Sequence, residues 1–254
     1  MYSIVMKIEY DGSGYAGWQR QKNALSIQET IEKALKSLTG LNLSIIGAGR
    51  TDAGVHASGQ VAHSRLPEML KIPQKKLSKA INSFLPDDIR IVDSRIIDFQ
   101  FHSTKDAIAR EYNYFIHLID RPLLRHFSSL IKSNIDISLL FESAKIFKGK
   151  KDFTTFSKLN KETKDYICNV KICKWSEIDE KQYKLTIRAD RFVYGMVRGI
   201  VGAMIEIARG KIEITDIEKA LEKKDRSFNC PMAPAKGLIL TKVLYPEKIN
   251  PFKV

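Results

Sequence analysis

The sequence has few cysteines and no apolar run long enough to cross a membrane. Its three cysteines are Cys168, Cys173 and Cys230, and no Cys-x-x-Cys pair occurs. This odd, widely spaced set argues against a disulfide framework or a zinc site, and the five histidines also lack metal-ligand spacing. The chain shows no N-terminal signal pattern either. We therefore expect a cytoplasmic protein with reduced cysteines and no membrane association.

Acidic residues are scarce relative to basic ones. The chain has 42 lysines and arginines against 29 aspartates and glutamates, which gives a formal net charge of +13. This excess favours a polyanionic partner, although a soluble surface rich in lysine is the simpler alternative. With 254 residues, the chain is long enough for one large or two medium domains, each with its own core.

The first half, residues 1–104, alternates between strand and helix patterns. A strand is predicted from Tyr2 to Tyr10, where apolar and polar residues alternate. Ser26 begins a capping box before an amphipathic helix that ends at Gly40. A second helix is predicted over residues 74–84, with Phe84 on its inward face. Further strands are predicted over residues 43–46, 55–64 and 89–97. The order βαββαβ is that of a split-βαβ or ferredoxin-like unit.

The second half, residues 105–254, repeats roughly the same kinds of element. Thr215 is predicted to cap the last helix. The other helices are predicted over residues 138–147 and 192–208. Strands are predicted over residues 107–119, 167–175, 183–189 and 238–245. We therefore predict an α+β fold of two ferredoxin-like units, whose antiparallel sheets abut and leave a cleft at the join.

The most distinctive stretch runs from Gly47 to His63 and reads GAGRTDAGVHASGQVAH. Its four glycines permit positive φ and the close approach of another backbone or a ligand. Thr-Asp-Ala-Gly alone is good turn chemistry, but a simple turn leaves the preceding glycines and Gly59 unexplained. A phosphate-cradling loop is disfavoured because no Lys-Ser/Thr pair follows the glycines and Asp52 is anionic. The stretch therefore predicts a reactive carboxylate, Asp52, held beside the cation Arg50.

A second distinctive stretch, FVYGMVRGIVGAMIEIA at residues 192–208, is apolar nearly all round and should be mostly buried. Arg198 is its only cation, and a guanidinium buried without a partner is strongly destabilising. Glu206 lies two turns away on the same helix, too far for an i,i+4 pair. We therefore predict that Arg198 pairs with Asp52 across the cleft.

Several aromatic and basic residues are candidates for contact with RNA. In the loop DGSGYAGWQ, residues 11–19, Tyr15 and Trp18 either stack on bases or, in the case of Trp18, pin the loop to the core. Six lysines in the middle of the chain either bracket a phosphate backbone or belong to a solvated loop. These are Lys148, Lys150, Lys151, Lys158, Lys161 and Lys164.

These stretches together resemble the TruA-type tRNA pseudouridine synthases. The resemblance rests on GAGRTDAGVHASGQVAH, the DG…GWQ loop, R-x-Y-x-Y at 110–114, MVR at 196–198 and APA-x-GL at 233–238. It implies the pseudouridine synthase fold, with Asp52 as the catalytic residue. It also implies that Tyr112 packs on the target base and that Arg198 pairs with Asp52. Arg50 is a further substrate-binding candidate, since its planar fork can hold a phosphate of the flipped nucleotide.

The resemblance also implies a function, which is the isomerisation of uridine to pseudouridine at positions 38–40 of the tRNA anticodon arm. It implies a homodimer that needs no metal, cofactor or energy source. Two segments depart from the family pattern: Ser157-Lys158 stands where an arginine is frequent, and Tyr194-Gly195 where two histidines are common. The main alternative is a non-catalytic RNA-binding protein of the same fold. A weaker one is a phosphohydrolase that uses Asp52 with a metal.

Overall fold

The structure is a computed structural model that describes residues 2–160, 163–228 and 230–253. It consists of two compact units, one formed by residues 2–108 and 240–253 and the other by described residues within 109–239. The chain therefore leaves the first unit after Ile108 and returns to it at Leu240. The sequence-based division between residues 104 and 105 placed this returning segment in the second half, whereas its packing groups it with the first unit.

The helices and strands follow one another much as the sequence predicts. The first unit begins with β1 (Tyr2–Tyr10), α1 (Ile27–Thr39), β2 (Ile46–Gly47), β3 (His56–Leu66), α2 (Gln74–Asn82) and β4 (Ile89–Ile97). The second contains β5 (Ala109–His117), β6 (Ser129–Leu130), α3 (Ile137–Ser143), β7 (Gly149–Asp152), β8 (Ile167–Asp179), β9 (Gln182–Ala189), α4 (Met196–Ala208) and α5 (Ile214–Lys223). The last strand, β10 (Leu238–Leu244), leads back into the first unit. Short 3-10 helices cover Pro122–Leu124, Ala144–Phe147, Thr154–Phe156, Ala235–Gly237 and Glu247–Ile249.

Helix α1 begins and ends where its capping residues predict. The Ser26 side chain accepts the backbone N–H of Glu29 at 3.3 Å, which satisfies one of the donors left open in the first turn. Gly40 ends the helix in the left-handed conformation, with φ of 73°, and its N–H bonds to the carbonyl of Lys36. The buried face of α1 includes Ile31 and packs into the first unit.

In the sheet of the first unit, β1 pairs antiparallel with β3 and with β4. Ile4 of β1 lies opposite Ser64 of β3 on one side and Ile96 of β4 on the other. Strand β2 also pairs with β3, and the strand order is β4-β1-β3-β10. The backbones of β3 and β10 approach closely at Gly59, because a Cβ there would overlap the carbonyl of Thr241.

Three details of the first unit differ from prediction. Strand β2 begins at Ile46 rather than at residue 43. Phe84 is 48% exposed because α2 ends at Asn82, whose side chain exchanges hydrogen bonds of 3.0 and 2.8 Å with the backbone of Ile91. Val5 of β1 is also buried, in a cluster on the face where the alternation of apolar and polar residues predicts exposed side chains. The other buried members of that cluster are Ala48, Val61, Ile97, Phe101 and Tyr245.

The sheet of the second unit is built around the antiparallel hairpin of β8 and β9. Strand β9 pairs with β5 on its other side, and β8 pairs with β7, which gives the order β5-β9-β8-β7. In this register Tyr112 of β5 lies opposite Ile187 of β9. Strands β8 and β9 confirm the strands predicted over residues 167–175 and 183–189, although β8 extends four residues beyond Trp175. Helix α3 packs against α4.

Two helix starts in the second unit were predicted wrongly. Helix α4 begins at Met196 rather than at residue 192, because Gly195 precedes it as the N-cap with φ of 77° and interrupts the helical backbone. Helix α5 is capped by Glu213, not by Thr215, since Glu213 and Asp216 form a reciprocal capping box. No helix within the described residues is long and apolar enough to span a membrane.

Candidate active site

The glycine-rich loop between β2 and β3 is held at its base by strand β3. The N–H of Ala48 donates to the carbonyl of Val61 at 2.7 Å, and the Gln60 side chain donates to the carbonyl of Gly49 at 2.8 Å. Ala48 and Gln60 are buried, whereas Arg50 at the tip is exposed. The loop therefore presents its cation to the surface from a fixed backbone.

The loop of residues 11–19 braces the Asp52 segment from the other side. The backbone N–H of Trp18 donates to the Thr51 carbonyl at 3.0 Å, and the Tyr10 and Thr51 hydroxyls lie 2.8 Å apart. Gly17 has φ of 98°, and a Cβ on it would lie 2.6 Å from the Thr51 carbonyl oxygen. Only a glycine fits here, so the spacing of glycines in this loop fixes how closely it approaches Asp52.

The aromatic residues of this loop are structural. Trp18 is 2% exposed, and its ring covers Gly47, where a Cβ would lie 2.6 Å from the indole. Tyr15 is also buried, and its hydroxyl donates to Asp88 Oδ1 at 2.7 Å. Burial and this carboxylate raise the pKa of Tyr15 well above its usual value. Of the two readings of Trp18, the structure favours the one in which it pins the loop to the core.

Asp52 itself is half-buried in a tight turn. Its carbonyl accepts the N–H of Val55 at 3.1 Å, and Gly54 takes the positive φ of 75° that this turn needs. Thr51, which precedes Asp52, and Val55, which closes the turn, are both buried. Turn chemistry and a positioned carboxylate are therefore compatible, because the turn sets where the Asp52 side chain begins.

Two histidines of β3, His56 and His63, are buried in the first unit. His56 is 1% exposed, and its Nδ1 lies 3.1 Å from both the Gly12 nitrogen and Asp11 Oδ1. His63 Nδ1 lies 3.0 Å from the Ser103 hydroxyl. Both rings thus tie β3 to neighbouring segments of the first unit, which is a structural role.

Tyr112 lies on β5 of the second unit and is 7% exposed. Its ring meets Phe192 edge to face, with centroids 5.1 Å apart. Tyr114, on the same face of the strand, is fully buried and donates its hydroxyl to the carbonyl of Pro234 at 2.8 Å. Of the two tyrosines, Tyr114 covers core, and Tyr112 lies beside the segment that leads into α4.

Arg198 lies in the first turn of α4 and is half-buried. Its Nε donates to the carbonyl of Ala233 at 2.8 Å, and its own carbonyl accepts the Ala233 N–H at 3.0 Å. Glu206, the rival partner, instead binds Arg209 at 2.5 Å and Lys211 at 3.5 Å. The guanidinium is therefore oriented by the segment around Ala233 and is not engaged by the glutamate of its own helix.

Two glycines of α4, Gly199 and Gly202, lie against backbone from other segments of the second unit. A Cβ on Gly199 would lie 3.2 Å from the Phe156 carbonyl oxygen, and one on Gly202 would overlap the carbonyl of Pro231. Both contacts bring other backbone against the helix beside Arg198.

The predicted site residues divide between the two units. Arg50 and Asp52 share one loop of the first unit, and Tyr112 and Arg198 belong to the second. The pairing of Arg198 with Asp52 stays a prediction. Lys161, one of the candidate phosphate contacts, lies outside the described residues. Sequence reasoning missed Gly17 and the Tyr10–Thr51 pair, for which the glycine spacing in DGSGYAG was the available indication.

Comparison with known proteins identifies the family of this chain. The chain matches the family described as tRNA pseudouridine synthase over residues 6–103 and 143–246. Three relatives are each named tRNA pseudouridine synthase A. The protein of Chlamydia trachomatis is 40% identical over 96% of this chain and 92% of its own length. That of Bacteroides fragilis is 39% identical over 95% and 96%, and that of Acetivibrio thermocellus 39% over 96% and 100%. The chain belongs to the tRNA pseudouridine synthase family.

Proposed function

We propose that this protein isomerises uridine to pseudouridine in tRNA, with Asp52 as the catalytic carboxylate. The observation that carries the proposal is the braced Asp52 turn, in a chain that matches the family along most of its length. The reaction breaks the bond between N1 and ribose C1′, turns the uracil and joins C5 to C1′. The proton lost from C5 balances the one gained at N1, so no oxidant or reductant is required.

The three chemical roles open to Asp52 need the same placement. It acts as a nucleophile at ribose C1′, as a nucleophile at uracil C6, or as the base that removes the 2′ proton. Each role demands a carboxylate held close to the flipped nucleotide, and misplacement by about 1 Å costs about a hundredfold in rate. The hydrogen bonds at Thr51 and Val55 limit such misplacement, since they fix the backbone on both sides of Asp52.

Tyr112, Arg198 and Arg50 are proposed to receive and hold the substrate. A stacked base must leave the helix or loop before chemistry can occur on it, and it then needs an aromatic surface to rest on. Tyr112 offers its ring for this purpose, with Phe192 against its edge. Arg198 pairs with Asp52 in this proposal, and the exposed Arg50 binds a phosphate of the flipped nucleotide.

The finer assignments rest on the resemblance to the TruA-type enzymes. We infer that the substrate uridines are at positions 38–40 of the anticodon arm and that the enzyme works in the cytoplasm as a homodimer. We also infer that each unit is ferredoxin-like. The first unit supports this with the element order βαββαβ and with β3 lying between β1 and β2 in the sheet. No metal or cofactor enters the proposed chemistry.

The test is pseudouridine formation on unmodified tRNA that carries uridine at positions 38–40, with EDTA present. The wild type is compared with Asp52→Asn and Asp52→Ala. Asp98→Asn serves as the matched control, because Asp98 is exposed and lies outside the glycine-rich loop between β2 and β3. We expect product from the wild type and the control alone. The affinity of both Asp52 variants for tRNA should stay within a few fold of the wild type.

Two outcomes would contradict the proposal. Wild-type protein that binds tRNA but makes no product would favour the non-catalytic RNA-binding alternative. Activity that EDTA abolishes would favour metal-dependent chemistry at Asp52.

The net charge of +13 also predicts that tRNA affinity falls steeply as salt rises from 50 to 200 mM, on the order of a thousandfold for six or more phosphate contacts. A flat salt dependence would contradict binding through several phosphates.

A further inference from the structure

An exposed tyrosine and a lysine form a pair on the surface of the second unit. The Lys158 Nζ lies 5.3 Å from the centroid of the Tyr194 ring, and the Lys158 N–H donates to the Tyr194 carbonyl at 2.8 Å. Tyr194 is 46% exposed. A Cβ on Gly195 would lie 3.5 Å from the Lys158 side chain, an ordinary van der Waals distance, so the lysine stem runs close beside this residue. The pair is thus fixed by backbone as well as by side chains.

A second cation extends this pair. Arg226 donates to the carbonyl of Ser157 at 3.2 Å, next to Lys158, and its guanidinium lies 4.6 Å from the centroid of the Tyr166 ring. Both Lys158 and Arg226 are exposed, and within the described part of the chain neither forms an ion pair with a carboxylate. Two cations and two aromatic rings therefore share one small surface, the combination that binds single-stranded nucleic acid.

This surface is continuous along the chain with the proposed target-base site. Phe192, two residues before Tyr194, contacts Tyr112, and Arg198 follows four residues after it in the first turn of α4. The segment from 192 to 198 therefore carries the neighbour of Tyr112, the exposed ring and the guanidinium. A nucleotide adjacent to the flipped uridine would have this ring and these cations within reach.

We propose that Tyr194, Lys158 and Arg226 form a subsite for a nucleotide that flanks the target uridine. The Tyr194 ring stacks on the unpaired base of that nucleotide, and the two cations contact its phosphates. The subsite rests on the proposed function, because it assigns a second contact to the same substrate. Its chemistry does not depend on base identity, since every base offers a π face and every phosphate a charge.

Binding of unmodified tRNA at several salt concentrations tests the subsite. Tyr194→Ala should weaken binding about tenfold, and Tyr194→Phe should restore most of the affinity because it keeps the ring. Lys158→Ala should lower the slope of log affinity against log salt by about one. Phe127→Ala and Lys219→Ala are matched controls in the same unit, with an exposed ring and an exposed lysine elsewhere. Thermal melts establish that each variant is folded.

A substrate series identifies the stacked base. Anticodon stem-loops with one abasic nucleotide on either side of the reacting uridine are bound to the wild type and to Tyr194→Ala. At one position the abasic change and Tyr194→Ala should each weaken binding, and together they should weaken it no further. Stacking would be overturned if Tyr194→Phe lost as much affinity as Tyr194→Ala. It would also be overturned if the losses from Tyr194→Ala and from the abasic change were additive at every position. An unchanged salt slope in Lys158→Ala would overturn the phosphate contact.

These measurements separate the subsite from the proposed reaction. The binding experiments need no turnover, so they can succeed even if wild-type protein makes no pseudouridine. If it is active, Tyr194→Ala should raise KM about tenfold and leave kcat unchanged, because a flanking contact is made equally in the ground and transition states. A fall in kcat at unchanged KM would place Tyr194 in the chemical step and contradict a flanking role.

Discussion

Replacing Gly17 by alanine should disturb the Asp52 turn while leaving the Asp52 side chain chemically unchanged. The new Cβ would lie 2.6 Å from the Thr51 carbonyl oxygen, and real contacts of this kind stay beyond 3.0 Å. The two segments must therefore separate by roughly 0.4 Å or more. The positive φ of 98° adds strain of about 1–2 kcal/mol for a residue with a side chain, and overpacking adds about 1–3 kcal/mol. We expect the free energy of unfolding to fall by about 3 kcal/mol.

The catalytic effect should follow from the same shift. The Trp18–Thr51 hydrogen bond would lengthen, and the Asp52 carboxylate would move with the backbone. Since a misplacement of about 1 Å costs about a hundredfold, this smaller shift should lower kcat on the order of tenfold, with tRNA affinity retained. Urea unfolding and single-turnover pseudouridine formation measure the two effects.

Gly14→Ala is the matched control because it lies in the same loop. A Cβ there meets nothing within 4 Å, and the glycine has no positive φ. This variant should unfold and turn over as the wild type does. If Gly17→Ala behaved like Gly14→Ala in both assays, the account of how the two loops fix Asp52 would be refuted.

Two further predictions concern buried polar groups of the first unit. Glu32→Ala should lower the free energy of unfolding by about 2–4 kcal/mol, because Glu32 accepts the Ile45 N–H and the Gln28 amide, each at 3.0 Å. Glu29→Ala removes a surface ion pair with Lys33 and an acidic residue from the first turn of α1, and it should cost less than 1 kcal/mol. Equal losses of the two variants in urea unfolding would contradict this. Burial, and then the neighbouring His102, lower the pKa of His63 to about 4, so the unfolded chain binds more protons between about pH 4 and 6.5 and stability is lost as pH falls through that window. His63→Gln should therefore lose less stability than the wild type between pH 7 and pH 5, and parallel losses would be the contrary result.

Local patterns predicted many elements because their determinants are local. Strand β1 and helix α1 have the expected bounds or caps, since alternation and the Ser26 and Gly40 caps act within a few residues. The burial of Val5 was not predictable in this way. Its cover comes from distant segments that include Phe101 and Tyr245, and periodicity reports nothing about contacts so far apart in the chain.

The candidate site also combines features set by neighbouring residues with features set by distant segments. The glycines around Asp52 indicated the close approach of another segment. The structure supplies it as residues 11–19, where Gly12 and Gly17 lie against the backbone of Val55 and Thr51. The burial of Trp18 depended on Gly47, nearly thirty residues away, so sequence alone left two readings open. Asp52, Arg50, Tyr112 and Arg198 stay predictions for their chemical roles. The start of α4 was missed because a glycine with positive φ, Gly195, can stop a helix that hydrophobicity alone would extend.

The first unit is discontinuous in sequence, and this has a consequence for synthesis on the ribosome. Residues 240–253 supply Tyr245, whose hydroxyl donates to the carbonyl of Ser103 at 2.7 Å, together with partly buried Val243 and Phe252. A nascent chain that has emerged only as far as β9 therefore has an open apolar surface over Val5. That surface stays available to chaperones or to aggregation until the whole of the second unit has been translated. The unit made first is thus the one completed last.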